Sequence, residues 1–387
     1  MSSPLIVVVC GDPGGAAAVA PVVHALRAAR RAEVRLFAYG HAGQSWAQCG
    51  LASEALEEPL SPDGALERLR RPAADLLLTG TSVNSAMLEH RFIAAARSLG
   101  VPSLAVLDFW LNYVERFTDT GSRLSHRPDR IAVMDERAQA EMVAEGFDAS
   151  SLVVTGQPAF DDLAHWRDAF TDAHRQDLRA RWGTTAGELV VLFISQPFGK
   201  LYGAAATNPL FYGFHEQQVL ALVIEALEEI ARDRRHGITL IIRPHPREDA
   251  AAFAASRSST VRVLVSSDLA ARDAALAADL VSGMNSVVLM EACYLQCLTV
   301  SLQPGLRRPD VLPTNRLGLS RGVYEASDIR PALDQLLFDE DVKRATRQHL
   351  QSFVPREGSA DRVVALIDRM LTTHRSAPEN DNVKAGH

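Results

Sequence analysis

Short apolar runs alternate with amphipathic segments along the first part of the chain. Stretches with apolar residues at helical spacing lie between the runs, at 16–29, 44–49, 84–99 and 136–145. The strand-length runs are rich in Val, Ile and Leu and lie at residues 5–9, 34–39, 76–79, 103–107, 130–134 and 152–155. Continuous apolar runs joined by amphipathic helices are typical of parallel strands buried on both faces. The pattern predicts a doubly wound α/β domain.

The same alternation starts again after a change of composition. Residues 160–182 are charged and helical in pattern, and a glycine-bounded turn follows at 183–187. New strand-like runs lie at 189–194, 238–242, 261–264, 280–281 and 298–302, with helical patterns between them that include 247–255. We therefore predict two Rossmann-like domains, 1–165 and 185–350, that face a central cleft. A helix at 356–375 is expected to pack back toward the N-terminal domain, and 376–387 is expected to be a disordered tail.

Length and composition narrow the class of protein. A chain of 387 residues exceeds what one core usually fills. The net charge of −7 argues against a nucleic-acid-binding protein, which would carry a basic field. We expect no integral membrane segment, because no run reaches the roughly 18 uncharged apolar residues of a membrane span. The four cysteines lack zinc-site spacing, so no zinc site is expected from them. The sequence predicts a cytoplasmic protein, either soluble or peripheral at the inner membrane surface.

Arg243-Pro244-His245-Pro246 directly follows the apolar run 238–242. Two prolines cannot continue a sheet ladder, so Arg243 and His245 are expected at the carboxyl end of a strand, where open α/β sheets bind ligands. The guanidinium of Arg243 fits phosphate oxygens, and pairing with Glu248 is the alternative. His245 is a candidate catalytic residue that contacts a phosphate or protonates a leaving oxygen, and capping of a turn is its alternative role.

A second candidate element, Ser282-Gly283-Met284-Asn285-Ser286, precedes an apolar helical stretch. A small polar loop at a helix start offers backbone N–H groups and the positive end of the helix dipole to an anion. Ser282, Asn285 and Ser286 are therefore candidate phosphate-binding residues, and each also fits a helix N-cap.

The N-terminal half carries its candidates after predicted strands. Gly11-Asp12-Pro13-Gly14-Gly15 is a turn in which Asp12 could deprotonate an acceptor hydroxyl or stabilise the turn, and the backbone of Gly14 and Gly15 faces the expected cleft. Trp110 could stack on a sugar or pack in the core. Residues 199–213 are expected to form a mobile loop over the cleft. Polar and aromatic candidates for the cleft or the acceptor follow other strands at Asp108, Trp110, Asn112, Ser195 and Gln196.

Two doubly wound halves with these three motifs resemble a GT-B glycosyltransferase. The His-Pro element and the later serine-bearing loop are similar to those of bacterial polysialyltransferases and CDP-glycerol glycerophosphotransferases. The resemblance implies an enzyme of polysaccharide biosynthesis, with a nucleotide-activated sugar held by the C-terminal domain and a carbohydrate or other hydroxyl acceptor held mainly by the N-terminal domain. It also implies a ribose contact from Glu291, for which a surface or buried-pair role is the alternative, and no metal or cofactor.

UDP-N-acetylglucosamine 2-epimerases share that fold and provide the alternative function. They carry a His-x-Glu-Ala-Gly element and an Asp-Ser-Gly-Gly loop followed by paired glutamates. The matching places here hold Leu107-Asp108-Phe109-Trp110 and the 282–286 loop, with only Glu291 beyond it. We expect a glycosyltransferase, with a nucleotide-sugar 2-epimerase or hydrolase as the alternative. The sequence leaves open the nucleobase, the sugar, the acceptor, the stereochemical outcome and the oligomeric state.

Overall fold

The computed structural model describes residues 3–71, 73–83, 86–119, 123–353 and 357–376. The chain divides into two compact units: unit 1 comprises Met1–Asp161 and Arg356–His387, and unit 2 comprises Asp162–Pro355. Of the predicted tail, residue 376 ends the last helix and 377–387 lie outside the described residues. Within the described part of the chain, no helix is both long and apolar enough to cross a membrane.

Unit 1 contains a parallel sheet whose strand order is β3-β2-β1-β4-β5-β6-β7. Its strands are β1 (Leu5–Cys10), β2 (Glu33–Ala38), β3 (Glu54–Ala55), β4 (Leu76–Thr79), β5 (Ser103–Val106), β6 (Arg130–Val133) and β7 (Leu152–Val154). Every residue of β1 is buried, as expected for a central strand with helices on both faces. The order reverses between β1 and β4, which are hydrogen-bonded neighbours.

The helices of unit 1 before its boundary are α1 (Pro13–Ala28), α2 (Ala42–Gln48), α3 (Pro62–Arg70), α4 (Glu89–Leu99) and α5 (Glu136–Ala144). Helix α1 begins three residues earlier than predicted, because the fixed φ of Pro13 suits the first helical position. The pattern did not predict α3. Its local signals are the side chain of Ser61, which accepts a hydrogen bond from the Gly64 N–H at 3.0 Å, and Pro62 at the first position.

Unit 2 contains a second parallel sheet, in the order β10-β9-β8-β11-β12-β13. Its strands are β8 (Leu189–Ile194), β9 (Ile238–Arg243), β10 (Arg262–Val265), β11 (Leu280–Gly283), β12 (Thr299–Leu302) and β13 (Arg321–Val323). Its helices are α6 (Leu163–Ala169), α7 (Asp172–Arg181), α8 (Phe198–Tyr202), α9 (Glu216–Arg234), α10 (Ala271–Ala277), α11 (Val287–Tyr294), α12 (Pro313–Arg316), α13 (Ile329–Phe338) and α14 (Glu340–Ser352). The two sheets confirm the predicted α/β class with two Rossmann-like domains.

Two segments of unit 2 differ from the expected pattern. The helix predicted at 247–255 is only a short 3-10 helix, Ala250–Phe253, whose start is capped by the Asp249 side chain at 2.9 Å from the Ala251 N–H. The segment 199–213 was expected to be a mobile loop without periodicity. It begins within α8, and its Tyr212 is buried against the rings of Phe198 and Tyr202.

The last helix, α15 (Ser359–Ser376), packs on unit 1. Val363 and Ile367 are fully buried in the same core cluster as apolar residues of α1. The Asp161 carboxylate accepts hydrogen bonds from the N–H groups of Ser359 at 2.9 Å and Ala360 at 2.7 Å. The carboxylate thus holds the first turn of the returning helix at the point where the chain leaves unit 1.

Candidate functional site

Three strands of unit 2 end side by side where the strand order reverses. β9, β8 and β11 are adjacent and parallel, and the carboxyl edge at such a reversal is the usual ligand site of an open α/β sheet. Each strand is followed by candidates from the sequence. These are Arg243 as the last residue of β9 and His245 after it, Ser195 and Gln196 after β8, and Asn285 and Ser286 after β11.

The turn that carries His245 is fixed by Glu248. The His245 N–H donates to one Glu248 carboxylate oxygen at 2.7 Å, and the Ser195 hydroxyl donates to the other at 2.9 Å. The ring Nδ1 of His245 accepts from the Arg247 N–H at 3.1 Å, so the proton of the neutral ring resides on Nε2. Ser195 and His245 therefore share one carboxylate, and the imidazole presents Nε2 as a hydrogen-bond donor.

Arg243 does not pair with Glu248, which was its expected alternative partner. Its guanidinium donates to the Leu269 carbonyl at 2.6 Å, in the segment that follows β10. Burial lowers the pKa of this guanidinium, and the Glu291 carboxylate opposes the shift. Arg243 is thus held between the end of β9, the segment after β10 and helix α11.

The start of α11 is tied to the end of β8. The Gln196 side-chain oxygen accepts from the Asn285 N–H at 3.0 Å, and its amide nitrogen donates to the Asn285 side chain at 3.2 Å. Ser286 is the N-cap, and its hydroxyl oxygen accepts from the Val288 N–H at 3.2 Å. Ser282 lies within β11, fully buried, and donates to the Leu192 carbonyl at 3.0 Å. Asn285 and Ser286 therefore form the helix-start loop, whereas the Ser282 hydroxyl is used inside the sheet.

Glu291 lies half-buried on α11. Burial raises the pKa of its carboxyl to about 7, and the positive charges of Arg272 and Arg243 oppose that shift. The guanidinium of Arg272 stacks over the Trp166 ring at 3.8 Å from the centroid. The carboxyl group can therefore donate or accept a hydrogen bond near neutral pH.

In unit 1, Asp12 lies at the matching reversal of strand order. It is buried and occupies the N-cap position of α1, but its side chain makes no capping bond to that helix. One carboxylate oxygen instead accepts from the Val83 N–H at 3.1 Å, and the Asp12 N–H donates to the Ser82 hydroxyl oxygen at 3.2 Å. Asp12 is thus held against the connection that follows β4.

Asp108 follows β5 and approaches the first turn of α1. Its Oδ1 accepts from the Thr81 hydroxyl at 2.8 Å and from the buried Arg116 guanidinium at 2.5 Å. Its Oδ2 lies where a side chain on Gly14 would be, 2.2 Å from an ideal Cβ, and a Cβ on Gly15 would lie 2.9 Å from the Thr81 carbonyl oxygen. The two glycines let the helix start and the neighbouring strand ends approach each other.

Two other candidates of unit 1 have their own local roles. Trp110 is only 5% exposed, and its indole N–H donates to the Asp135 carboxylate at 2.8 Å. Asn112 has a left-handed backbone, with φ of 58°, and its carbonyl accepts from the Arg116 N–H at 3.1 Å. Trp110 therefore packs in the interior, which was the alternative to sugar stacking.

Sequence reasoning missed the buried residues behind this edge, above all Glu89. Its side chain is 3% exposed, and its carboxylate accepts from the Gly11 N–H at 3.0 Å, the Ser82 hydroxyl at 2.8 Å and the Tyr39 hydroxyl. Burial raises the pKa of Glu89 to about 7, against the opposing effect of these hydroxyl groups. A glutamate in the first turn of a helix is ordinary, so no sequence signal joined it to residue 11.

Among the described residues, no three His, Cys, Asp or Glu side chains are grouped so that they could hold a metal ion. The polar groups gathered at the two edges are a guanidinium, imidazole and amide groups, hydroxyl groups, carboxyl groups and helix starts. Such an edge in unit 2 is suited to bind an anion, and the edge in unit 1 is suited to accept a proton.

No protein-family model matches the chain, and no curated protein matches its sequence. Solved structures do resemble it. The S. aureus MnaA structure with UDP is 14% identical with a TM-score of 0.68, over 95% of this chain and 97% of that chain. A UDP-GlcNAc 2-epimerase from Neisseria meningitidis, bound to UDP-GlcNAc, is 13% identical with a TM-score of 0.66, over 94% and 100%. MurG of Acinetobacter baumannii is 13% identical with a TM-score of 0.57, over 95% and 99%.

These structures are GT-B-fold proteins and include both epimerases and glycosyltransferases. At these identities the likeness establishes the GT-B fold of this chain. The distinction between an epimerase and a glycosyltransferase therefore depends on the side chains at the two edges. The narrower resemblance to polysialyltransferases and CDP-glycerol glycerophosphotransferases stays a prediction.

We predict that Gly14→Ala destabilises unit 1, because the added methyl group would displace Asp108 from its ion pair with Arg116. Overpacking of this kind costs about 1–3 kcal/mol of unfolding free energy, measurable by urea denaturation. The control is Gly43→Ala in α2, where the nearest atom is 3.5 Å from the new Cβ and alanine favours the helix. Equal stability of the two variants would show that the Asp108 side chain moves without cost.

We also predict that Glu291 makes stability depend on pH. Its pKa is raised from 4.5 to about 7 in the folded protein, so its contribution is complete below about pH 4.5 and is lost as pH rises through 7. Raising the pH from 5 to 8 should therefore lower the melting temperature of the wild type relative to that of Glu291→Gln. Glu325→Gln, on the surface, is the control. A difference that does not change with pH would contradict the shift.

Proposed function

We propose that this GT-B-fold protein is a metal-independent glycosyltransferase, which transfers a sugar or a related group from a nucleotide-activated donor to a hydroxyl acceptor. The observation that carries the proposal is the set of hydrogen-bond donors at the carboxyl edge of unit 2. The Arg243 guanidinium and the His245 imidazole lie at the end of β9, and the start of α11 follows β11, on the other side of β8. No cofactor is part of the proposal, since the nucleotide-activated sugar itself is the donor substrate.

In this proposal the donor phosphates bind between the β9 turn and the start of α11. The Ser286 N–H and the dipole of α11 attract the phosphate oxygens. They lie beside Asn285, whose own N–H donates to Gln196. The guanidinium of Arg243 retains further N–H groups beyond the one directed at Leu269. Fixed donors of this kind stabilise the charge that develops on a leaving phosphate, and they do so without a metal ion.

His245 acts in this proposal as a neutral donor to a phosphate oxygen, not as an acid. Protonation of the ring would place a second proton on Nδ1, where the Arg247 N–H already donates. The neutral ring carries its proton on Nε2, and Glu248 together with the two flanking prolines holds the backbone at this position.

Glu291 is proposed to bind the ribose of the nucleotide. It lies on α11, beyond the helix start proposed for the phosphates. A carboxyl group whose pKa is raised to about 7 can accept from one ribose hydroxyl and, when protonated, donate to another.

Unit 1 is proposed to bind the acceptor and to supply the base. Asp12 is the candidate base, because its carboxylate lies at the strand-order reversal, beside the start of α1. Asp108 is proposed to contact the acceptor instead, since its contacts with Thr81 and Arg116 hold its carboxylate in place. Gly14 and Gly15 serve this edge by letting Asp108 and the connection after β4 approach the start of α1 closely.

A nucleotide-sugar 2-epimerase or hydrolase is the second candidate. It is favoured by TM-scores of 0.66 to 0.68 with MnaA and the Neisseria epimerase, compared with 0.57 for MurG. Both functions would use the same nucleotide site in unit 2. They differ in whether a sugar is turned over when no acceptor is present.

The test has two steps. First, nucleoside mono- and diphosphates are screened for an increase in melting temperature, since a ligand that binds the folded state stabilises it. Second, UDP-, CMP- and GDP-sugars are incubated with and without hydroxyl acceptors. A transferase requires the acceptor, whereas an epimerase or hydrolase turns over without it. Absence of stabilisation by every nucleotide would contradict both candidates.

For His245 we predict that the Ala variant lowers kcat by two orders of magnitude or more, while the Gln variant retains much of the activity. The Gln side-chain amide offers an N–H close to the position of Nε2, but it cannot act as an acid. Steady-state kinetics at saturating donor would measure both, with His349→Ala in α14 as the control. Equal loss in the Ala and Gln variants would indicate an acid, and near-normal kinetics in the Ala variant would remove His245 from the mechanism.

A further inference from the structure

We propose that Glu89 is a positioning residue for Asp12, and that loss of its negative charge alters the placement of the turn that carries Asp12. Its effect on catalysis rests on the role of Asp12 as base in the proposed function. The buried carboxyl group itself would contact no substrate.

The side chain of Glu89 joins three separate segments of unit 1. Glu89 is the first residue of α4. Its carboxylate accepts hydrogen bonds from Gly11 after β1, Tyr39 after β2 and Ser82 after β4. The Tyr39 ring also lies directly against Gly11, where an ideal Cβ would be 2.1 Å from a ring carbon. One carboxylate therefore fixes the connections at the carboxyl ends of three adjacent strands.

Two consecutive N–H groups of the turn depend on this carboxylate. The Gly11 N–H donates to Glu89 directly, at 3.0 Å. The Asp12 N–H donates to the Ser82 hydroxyl oxygen at 3.2 Å, and that hydroxyl donates to Glu89 at 2.8 Å. The backbone immediately before the Asp12 side chain is thus held by Glu89 and Ser82 together.

Protonation of Glu89 would disturb this arrangement. The ionised carboxylate accepts from three donors, but a carboxylic acid must itself donate one hydrogen bond. The Gly11 N–H cannot turn away, so the hydroxyl of Ser82 or Tyr39 must rotate. A rotated Ser82 changes the contact to the Asp12 N–H, and a rotated Tyr39 changes the contact between its oxygen and the Leu88 N–H at 3.0 Å.

The surroundings of Glu89 bring the pKa of its carboxyl group close to neutral pH. Burial and the nearby Asp12 charge raise its pKa, and the hydroxyl groups of Tyr39 and Ser82 lower it, with a result of about 7. Cys10, at the end of β1, has its pKa raised well above the ordinary value by burial and by Glu89, so it stays a neutral thiol. Asp108 also acts on Cys10 and is itself paired with Arg116. Of Glu89 and Cys10, Glu89 is therefore the one whose charge changes near neutral pH.

The first experiment follows the turn without any assay of activity. Amide signals of Gly11 and Asp12 are recorded by NMR from pH 5.5 to pH 8.5 in the full-length protein. We expect both signals to titrate near pH 7 in the wild type and not in Glu89→Gln, which cannot change charge. Signals that do not titrate in the wild type would overturn the proposal.

The second experiment measures kcat and KM across the same pH range. The wild-type pH profile should have an acidic limb, in which kcat falls about tenfold per pH unit below the transition. The profile of Glu89→Gln should lack this limb. Tyr39→Phe removes a hydrogen bond that lowers the pKa of Glu89, so the limb should move to higher pH. Glu141→Gln is the matched control, because Glu141 also accepts from a tyrosine, Tyr113, at 2.8 Å.

The outcomes separate the two proposals. If Glu89→Gln lowers kcat equally at every pH and keeps the limb, Glu89 has only a structural role and the proposal is overturned. If the amides titrate as expected but no nucleotide-sugar is turned over, the positioning role of Glu89 stands and the proposed function fails. Loss of the limb in Glu89→Gln together with its shift in Tyr39→Phe supports both.

Discussion

The pairing register of one central strand in each unit determines which side chains meet. In unit 2, Ile194 of β8 pairs with Arg243 of β9 and with Gly283 of β11, so all three strands end at the same level. In unit 1, Val9 of β1 pairs in the same way with Phe37 of β2 and Thr79 of β4. Residues far apart in sequence thus emerge together, and a slip of one residue would turn each side chain to the opposite face.

Sequence could predict the strands and the residues that follow them, because apolar runs and their abrupt ends are local signals. Arg243, His245, Asn285 and Ser286 were found in this way. The side-chain contacts were not predictable, since Glu89 meets a backbone group 78 positions away. Residues of the same type also lie in different environments, which the sequence does not distinguish. Ser282 and Ser286 looked equivalent in one loop, yet one lies within a strand and the other caps a helix.

Each unit keeps a glutamate with a pKa near 7, but the surroundings differ. The positive charges of Arg272 and Arg243 lower the pKa of Glu291, so burial accounts for its rise to about 7. Glu89 has no cation among the causes of its shift and is held only by neutral donors and affected by Asp12. A cation stabilises an ionised carboxyl more than a hydroxyl does. A ligand that brings phosphate near Arg243 would therefore act on Glu291 through its cations, whereas Glu89 responds to the geometry of its turn.

The return of α15 to unit 1 has a consequence for synthesis of the chain. Val363 and Ile367 complete a core that also contains residues of β1 and α1. The residues of that core therefore come from both ends of the described sequence. Unit 2 is formed by one continuous segment and emerges from the ribosome before α15 does. Domains generally fold as units during synthesis. Although unit 1 begins the chain, it is therefore the last to close its core, and a chain that stops before α15 would lack that part of the core.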